Sequence, residues 1–195
     1  MKYTLSILAA AGLLVGACDK KQDSADAKAS AQKAEAPVFK PEYASPDSFQ
    51  VGLGKVYQGY LKIEGALAHD DFQGAKDAFQ GMHAVLHMLP TEGMDTAAST
   101  NWDSLDTRFM RVLHPMAASE TIAIMRDHLA DFTPLMLEAI KKFGVQAAGP
   151  VYLFHCPMAR NNQGADWLQG GRILENPFYG KSMLQCGSLV ESVKI

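Results

Sequence analysis

FQGAKDAFQGMHAVLHML, residues 72–89, reads as one amphipathic helix. Phe72, Ala75, Phe79, Met82, Val85/Leu86 and Leu89 recur at helical spacing, three or four residues apart. Asp70 or Asp71 can cap its start, and Pro90-Thr91-Glu92-Gly93 ends it. A helix that is apolar along one stripe must bury that stripe against neighbours, so the stretch implies a helical domain around it.

Upstream, Ser45-Pro46-Asp47 opens a first helix with Val51, Val56, Tyr60, Ile63 and Leu67 along one face. Downstream, Ser99-Thr100-Asn101 can cap a third helix carrying Trp102, Leu105, Phe109, Val112 and Leu113. Pro115 is expected to kink or break it, because proline lacks the N–H and clashes with the preceding turn. A continuation takes in Ile122 to Leu129, and Thr133-Pro134 reads as the start of a further short helix closed by Gly144. Short connections favour antiparallel neighbours. The fold class is therefore mainly α, an up-down bundle of four or five helices. After Gly149-Pro150 the pattern changes to β-prone Val151-Tyr152-Leu153-Phe154 and then to a Gly- and Pro-punctuated run. This part reads as an irregular C-terminal lid with a short extended segment, laid across the bundle by Trp167, Phe178 and Tyr179.

The N-terminus sets the compartment. Residues 1–17 have the length and character of a signal peptide, with Lys2 before an apolar run too short to span a bilayer. The run ends Leu14-Val15-Gly16-Ala17-Cys18, which resembles a bacterial lipobox and implies lipidation of Cys18. Residues 18–47, rich in Ala, Lys, Asp, Ser and Gln, read as the lipidated Cys and a disordered tether. The domain then spans 48–195. The expected place is the bacterial cell envelope, lipid-anchored and facing the periplasm, on either membrane. The net charge of −3 and the lack of a basic patch argue against nucleic acid. No nucleophile elbow, Walker loop, dinucleotide fingerprint or Cys-x-x-Cys is present, so no enzyme is expected.

With Cys18 lipidated, Cys156 and Cys186 remain, and two free thiols in an oxidising compartment need a role. The pair alone favours a disulfide, which would make the chain an envelope interaction module with a clamped lid. Yet Cys156-Pro157-Met158 and Met183-Leu184-Gln185-Cys186 place soft sulfur at both ends of segment 151–187. Thiolate and thioether suit Cu(I), with Ag(I) by analogy. Histidines add to this. His83 and His87 are four apart on the second helix and share a face. His114, in Leu113-His114-Pro115-Met116, could join them inside the bundle, where such sites are often built. Zn(II) on two Cys and two His is a variation. His155 should point away from Cys156, as neighbours in a strand do.

HCPMA (155–159), GADWL (164–168), NPFYG (176–180), ML.CG (183–187) and MRDHLADFTPLMLEAIKKFG (125–144) together resemble the DUF3347 family over roughly residues 48–192. Similar domains occur alone or fused to periplasmic adaptor subunits of copper- and silver-exporting efflux pumps. The resemblance implies heavy-metal company, with periplasmic efflux or copper-handling proteins as partners. It tips the reading toward a soft-metal protein with Cys156, Met158 and Cys186 as first ligands. His83, His87 and His114 come next, and Met183 after them.

Overall fold

The computed structural model describes residues 40–147 and 149–194. The expected signal peptide, Cys18 and most of the expected tether lie outside the described residues. Four long helices form the body: α1 (Asp47–Ala68), α2 (Phe72–Leu86), α3 (Thr96–Ala117) and α4 (Ile122–Phe143). Sequence neighbours pack side by side, and α4 closes back on α1, giving the up-down bundle. Its core is aromatic: Phe49, Trp102, Phe109, Phe132 and Phe143 meet mostly edge to face at 4.8–5.7 Å. Packing extends upstream of α1, where the Tyr43 N–H donates to the Lys142 carbonyl at 2.8 Å and the Tyr43 ring stacks on Phe143.

The expected stripes form, except that Val51 is exposed and Phe49 and Leu53 take the core side of α1, and several boundaries differ. α2 stops at Leu86 rather than Leu89. α3 begins at Thr96, because Asp95 rather than Ser99 caps it, accepting from the Ala98 N–H at 2.8 Å. Thr121 caps α4, and that helix runs unbroken through Thr133-Pro134. Pro115 likewise sits inside the last turn of α3. Both prolines are exposed, so their rings stand on the solvent side, where a missing N–H costs least. Thr133 is therefore no cap. Its hydroxyl donates to the Leu129 carbonyl one turn back at 2.9 Å.

That hydroxyl belongs to a buried relay. The Leu168 N–H donates to the Tyr60 oxygen at 3.1 Å, and the Tyr60 and Thr133 oxygens are 2.7 Å apart. Since the Thr133 proton goes to Leu129, the Tyr60 proton must go to Thr133. Burial pushes the Tyr60 phenol far above its ordinary value, so it remains a donor.

The C-terminal part is more regular than expected. β1 (Val151–Cys156), β2 (Ala165–Gln169) and β3 (Ser188–Val193) form an antiparallel sheet in the order β2-β1-β3. Its two faces have different tasks. Val151, Leu153, Leu168 and Val193 join the bundle core, against α1 and α4. Tyr152, Phe154, Cys156, Ala165 and Trp167 form a second cluster with Leu174, Phe178, Tyr179 and Cys186. The 170–187 segment thus covers the sheet's outer face instead of lying across the helices. Between β1 and β2 a four-residue turn, Ala159–Asn162, has Arg160, Asn161 and Asn162 all at positive φ. Arg160 ties it to α4 through Asp131 at 2.8 Å.

Two expected outcomes follow from buried polar groups. Tyr60→Phe strands the Leu168 N–H in the core. It should cost on the order of 1–3 kcal/mol, read as a lower urea midpoint with unchanged m-value; an unchanged midpoint would mean the relay contributes nothing. Glu64, on α1, is buried, and its Oε1 has no hydrogen-bond partner among the described residues. Burial, and then the nearby Glu175 carboxylate, hold its carboxyl well above the ordinary 4.5. The native state therefore keeps a proton that the unfolded chain releases, so this contribution to stability fades as pH rises from about 4.5 through the raised value. Glu64→Gln should raise Tm at neutral and alkaline pH and change it little near pH 4, checked by thermal melts across pH.

Candidate metal centre

β1 alternation decides where Cys156 goes. Tyr152, Phe154 and Cys156 share the sheet face turned from the bundle, and Cys156 ends the strand there, fully buried. His155 turns the other way. Its Nδ1 lies 2.7 Å from Asp166 Oδ1 on the paired strand, as its register partner. It stays out of the cysteine cluster, as its parity requires.

Cys186 reaches Cys156 from the end of the covering segment. The two Sγ atoms are 3.0 Å apart, and both residues are free thiols. The Met158 Sδ lies 4.0 Å from Cys186 Sγ. Three soft sulfurs therefore gather at one point, from β1, from the turn after it and from the approach to β3. The hydrogen bond that Cys186 shares with Cys156, and secondarily burial, raise the Cys186 thiol above its ordinary value. Met183 is linked to Cys186 by backbone, the Cys186 N–H donating to its carbonyl at 3.0 Å. That is a tight turn following a 3-10 helix at Gly180–Ser182.

Apart from Tyr179, expected as an anchor of the lid, the positioning residues are ones to which the sequence assigned no role. Asn176 is fully buried, and its Nδ2 donates to the Cys186 carbonyl at 2.6 Å. Its Oδ1 accepts from the Phe178 and Tyr179 N–H groups at 2.7 and 3.2 Å, an Asx turn. The Asn-Pro dipeptide at 176–177 was the available signal. Tyr179 donates to the Met158 carbonyl at 2.6 Å, joining the covering segment to the Cys-Pro-Met turn. Gly187 has φ +140, and a Cβ there would stand 2.7 Å from the Trp167 ring and 2.8 Å from the His155 carbonyl. Only glycine lets the chain leave Cys186 along that path. At Pro177, the residue after Asn176, the segment is pinned to the bundle by Arg126. This side chain donates to the Pro177 and Leu67 carbonyls at 2.6 and 2.7 Å and pairs with Asp70 at 2.7 Å.

The histidines are elsewhere. The sheet lies on α1 and α4, whereas His83 and His87 are on α2 and His114 on α3, at the seam on the opposite side of the bundle. They were expected inside it. The core stripe of α2 runs through Phe79, Met82 and Leu86, and that of α3 through Phe109, Leu113 and Met116. His83, His87 and His114 each follow a core position by one residue, which rotates them to the edge and outward. His83 is half-buried; His87 and His114 are exposed. A single Cys/His cage is therefore not assembled. Among the described residues, no three His, Cys, Asp or Glu side chains converge as a ready metal-holding group. Nor is any helix there long and apolar enough to cross a membrane.

The profile of the family described as protein of unknown function DUF3347 matches residues 56–148. The helical bundle belongs to that family. The matched span runs from within α1 to just before β1, so the sulfur-bearing sheet follows it in the chain. No curated protein and no solved structure matches this chain.

Asn176→Ala removes both the Asx turn and the hold on Cys186. It should cost about 1–3 kcal/mol and accelerate alkylation of Cys186 over Cys156, followed by mass spectrometry of timed samples. Equal protection of Cys186 in the variant would show that other contacts place it.

Proposed function

We propose that this DUF3347 chain is a periplasm-facing lipoprotein that binds a soft metal ion, Cu(I) first and Ag(I) by the same chemistry. Cys156, Cys186 and Met158 are the ligands, and Cys18 carries the lipid. The observation behind this reading is the meeting of two thiols at 3.0 Å with a thioether 4.0 Å away. Two thiolates and a thioether are a donor set that selects a soft monovalent ion over harder cations. The pair is shielded on one side by Phe154 and Trp167, while Met158 is exposed at the rim. An ion arriving from solvent meets the thioether first and the buried thiol last. Such an entry suits sequestration, sensing or hand-off to a heavy-metal efflux partner better than a closed structural site. Zn(II) on two Cys and two His finds little support, because His155 is engaged by Asp166 and His83, His87 and His114 lie on α2 and α3, away from the sheet.

The same distance favours a second reading, a disulfide clamp. A bond of about 2.05 Å needs the sulfurs to close by roughly 1 Å, and loop closure over 30 residues would contribute on the order of 3–4 kcal/mol. The chain would then be an envelope interaction module whose covering segment is locked.

Anaerobic Cu(I) titration of the purified chain against a chromophoric chelator separates the two. Metal binding predicts two free thiols, counted in denaturant before loading, one equivalent of Cu(I), protection of both thiols, and loss of binding in Cys156→Ser and Cys186→Ser. Absence of free thiols in fresh protein, with no Cu(I) taken from the chelator, would replace the metal reading by the clamp.

A further inference from the structure

The opposite face of the bundle holds a second set of donors with different chemistry. His83 and His87 are one turn apart on α2, and their Nε2 atoms are 3.1 Å from each other. Their rings stand edge to face, with centroids 4.3 Å apart. The His114 ring, from α3, lies 6.4 Å from that of His83. Asp106, two turns before His114 on α3, is near enough to His87 for their charges to interact. Asp106, His87, His83 and His114 thus follow one another along the α2–α3 seam.

Two features distinguish this arrangement from ordinary surface histidines. The first is the bite. A metal–nitrogen bond of about 2.0–2.1 Å with a cis angle of roughly 90–110° requires nitrogens about 2.9–3.4 Å apart. The observed 3.1 Å falls within that span before any ion is present. The second is how the rings are held. His83 stacks on Phe79, with centroids 5.4 Å apart and planes 16° from parallel, so packing fixes the ring without occupying its nitrogens. Burial first, and then His87 and His114, lower the His83 pKa, which favours the neutral ligand form. Among the described residues, the ring nitrogens of His83 and His87 hydrogen-bond only to each other.

We propose that His83 and His87 chelate a first-row divalent ion through their Nε2 atoms, with His114 as a third ligand that swings in. The site offers imidazole and no sulfur, so it suits Cu(II), Ni(II) or Zn(II), and Cu(II) most tightly. The remaining positions belong to water, since His87 and His114 are exposed. Asp106 supplies a nearby negative charge. This second site does not depend on the sulfur site. It gives the chain two metal chemistries on opposite faces, one for a soft monovalent ion and one for a borderline divalent ion.

Ni(II) is the probe, titrated calorimetrically into the full chain, with Cu(II) electron paramagnetic resonance as the second readout. The expected result is one equivalent of Ni(II), and nitrogen hyperfine coupling for the first equivalent of Cu(II). His83→Ala and His87→Ala should each weaken Ni(II) at least about tenfold, because each converts a chelate into a single ligand. His114→Ala should weaken it less, and the exposed His69→Ala not at all. Cys186→Ser should leave Ni(II) binding intact, which separates this site from the sulfur cluster. His87 is exposed, so its variant should fold, as circular dichroism will verify. Unchanged Ni(II) affinity in His87→Ala, or loss of Ni(II) in Cys186→Ser alone, would overturn the proposal. So would the lack of any binding tighter than about 1 mM.

Discussion

One buried tyrosine hydroxyl ties the sheet to two helices at once. Tyr60 accepts from the backbone of β2 and donates to Thr133 on α4, whose own proton returns to the helix backbone at Leu129. All the groups are buried, so each needs its partner. The chain of bonds fixes β2 against the α1–α4 face, and the rest of the sheet is built on β2 through β1. Without it, β2 would keep apolar contact, which is non-directional, and the longer bond from the Tyr57 hydroxyl to the Gln169 carbonyl at 3.4 Å.

The position matters because the sheet is a two-sided device. Strand parity sends one set of side chains into the bundle and the other into the cluster that holds Cys156. A shift of one residue in β1 would exchange these sets. The covering segment is then fastened to the bundle by Arg126 and Asp70, at Pro177 and Lys181, and folded back on itself by Asn176 at Cys186. The Arg126 guanidinium, and then the Lys181 N–H, keep the Asp70 carboxyl below the usual range.

Much of the bundle could be read from periodicity, since Phe72 to Leu86 and Trp102 to Leu113 fill their expected faces. Proline misled the reading. A Thr-Pro pair looks like a helix start, and only tertiary context turns Thr133 inward to Tyr60 and lets α4 continue. The sheet was half legible. β1 has the composition of a strand, but β2 hides in GADWLQ, where Asp166 and the flanking glycines mask the alternation. β3 pairs with β1 across more than thirty residues, which local patterning does not encode. The sulfur residues were legible as a group because Cys156, Met158 and Cys186 are chemically distinctive. The histidines were legible as a pair at helical spacing, but not as lying outside. That depends on a one-residue offset from the core stripe, within the ordinary uncertainty of such a reading.

The turn between β1 and β2 has a mechanical consequence. Arg160, Asn161 and Asn162 form a run of backbone that twists the wrong way for L-residues. Such a run has almost no neighbouring conformations to relax into, so it behaves less like a hinge than like a rivet. Arg160 clamps it to α4. The hairpin arms therefore cannot slide past one another to lengthen or shorten the turn. Met158 is held just before the rivet and Cys156 two residues earlier, so whatever passes over the rim meets these two sulfurs at a fixed spacing. Any give in this part of the molecule must come from the Cys186 side.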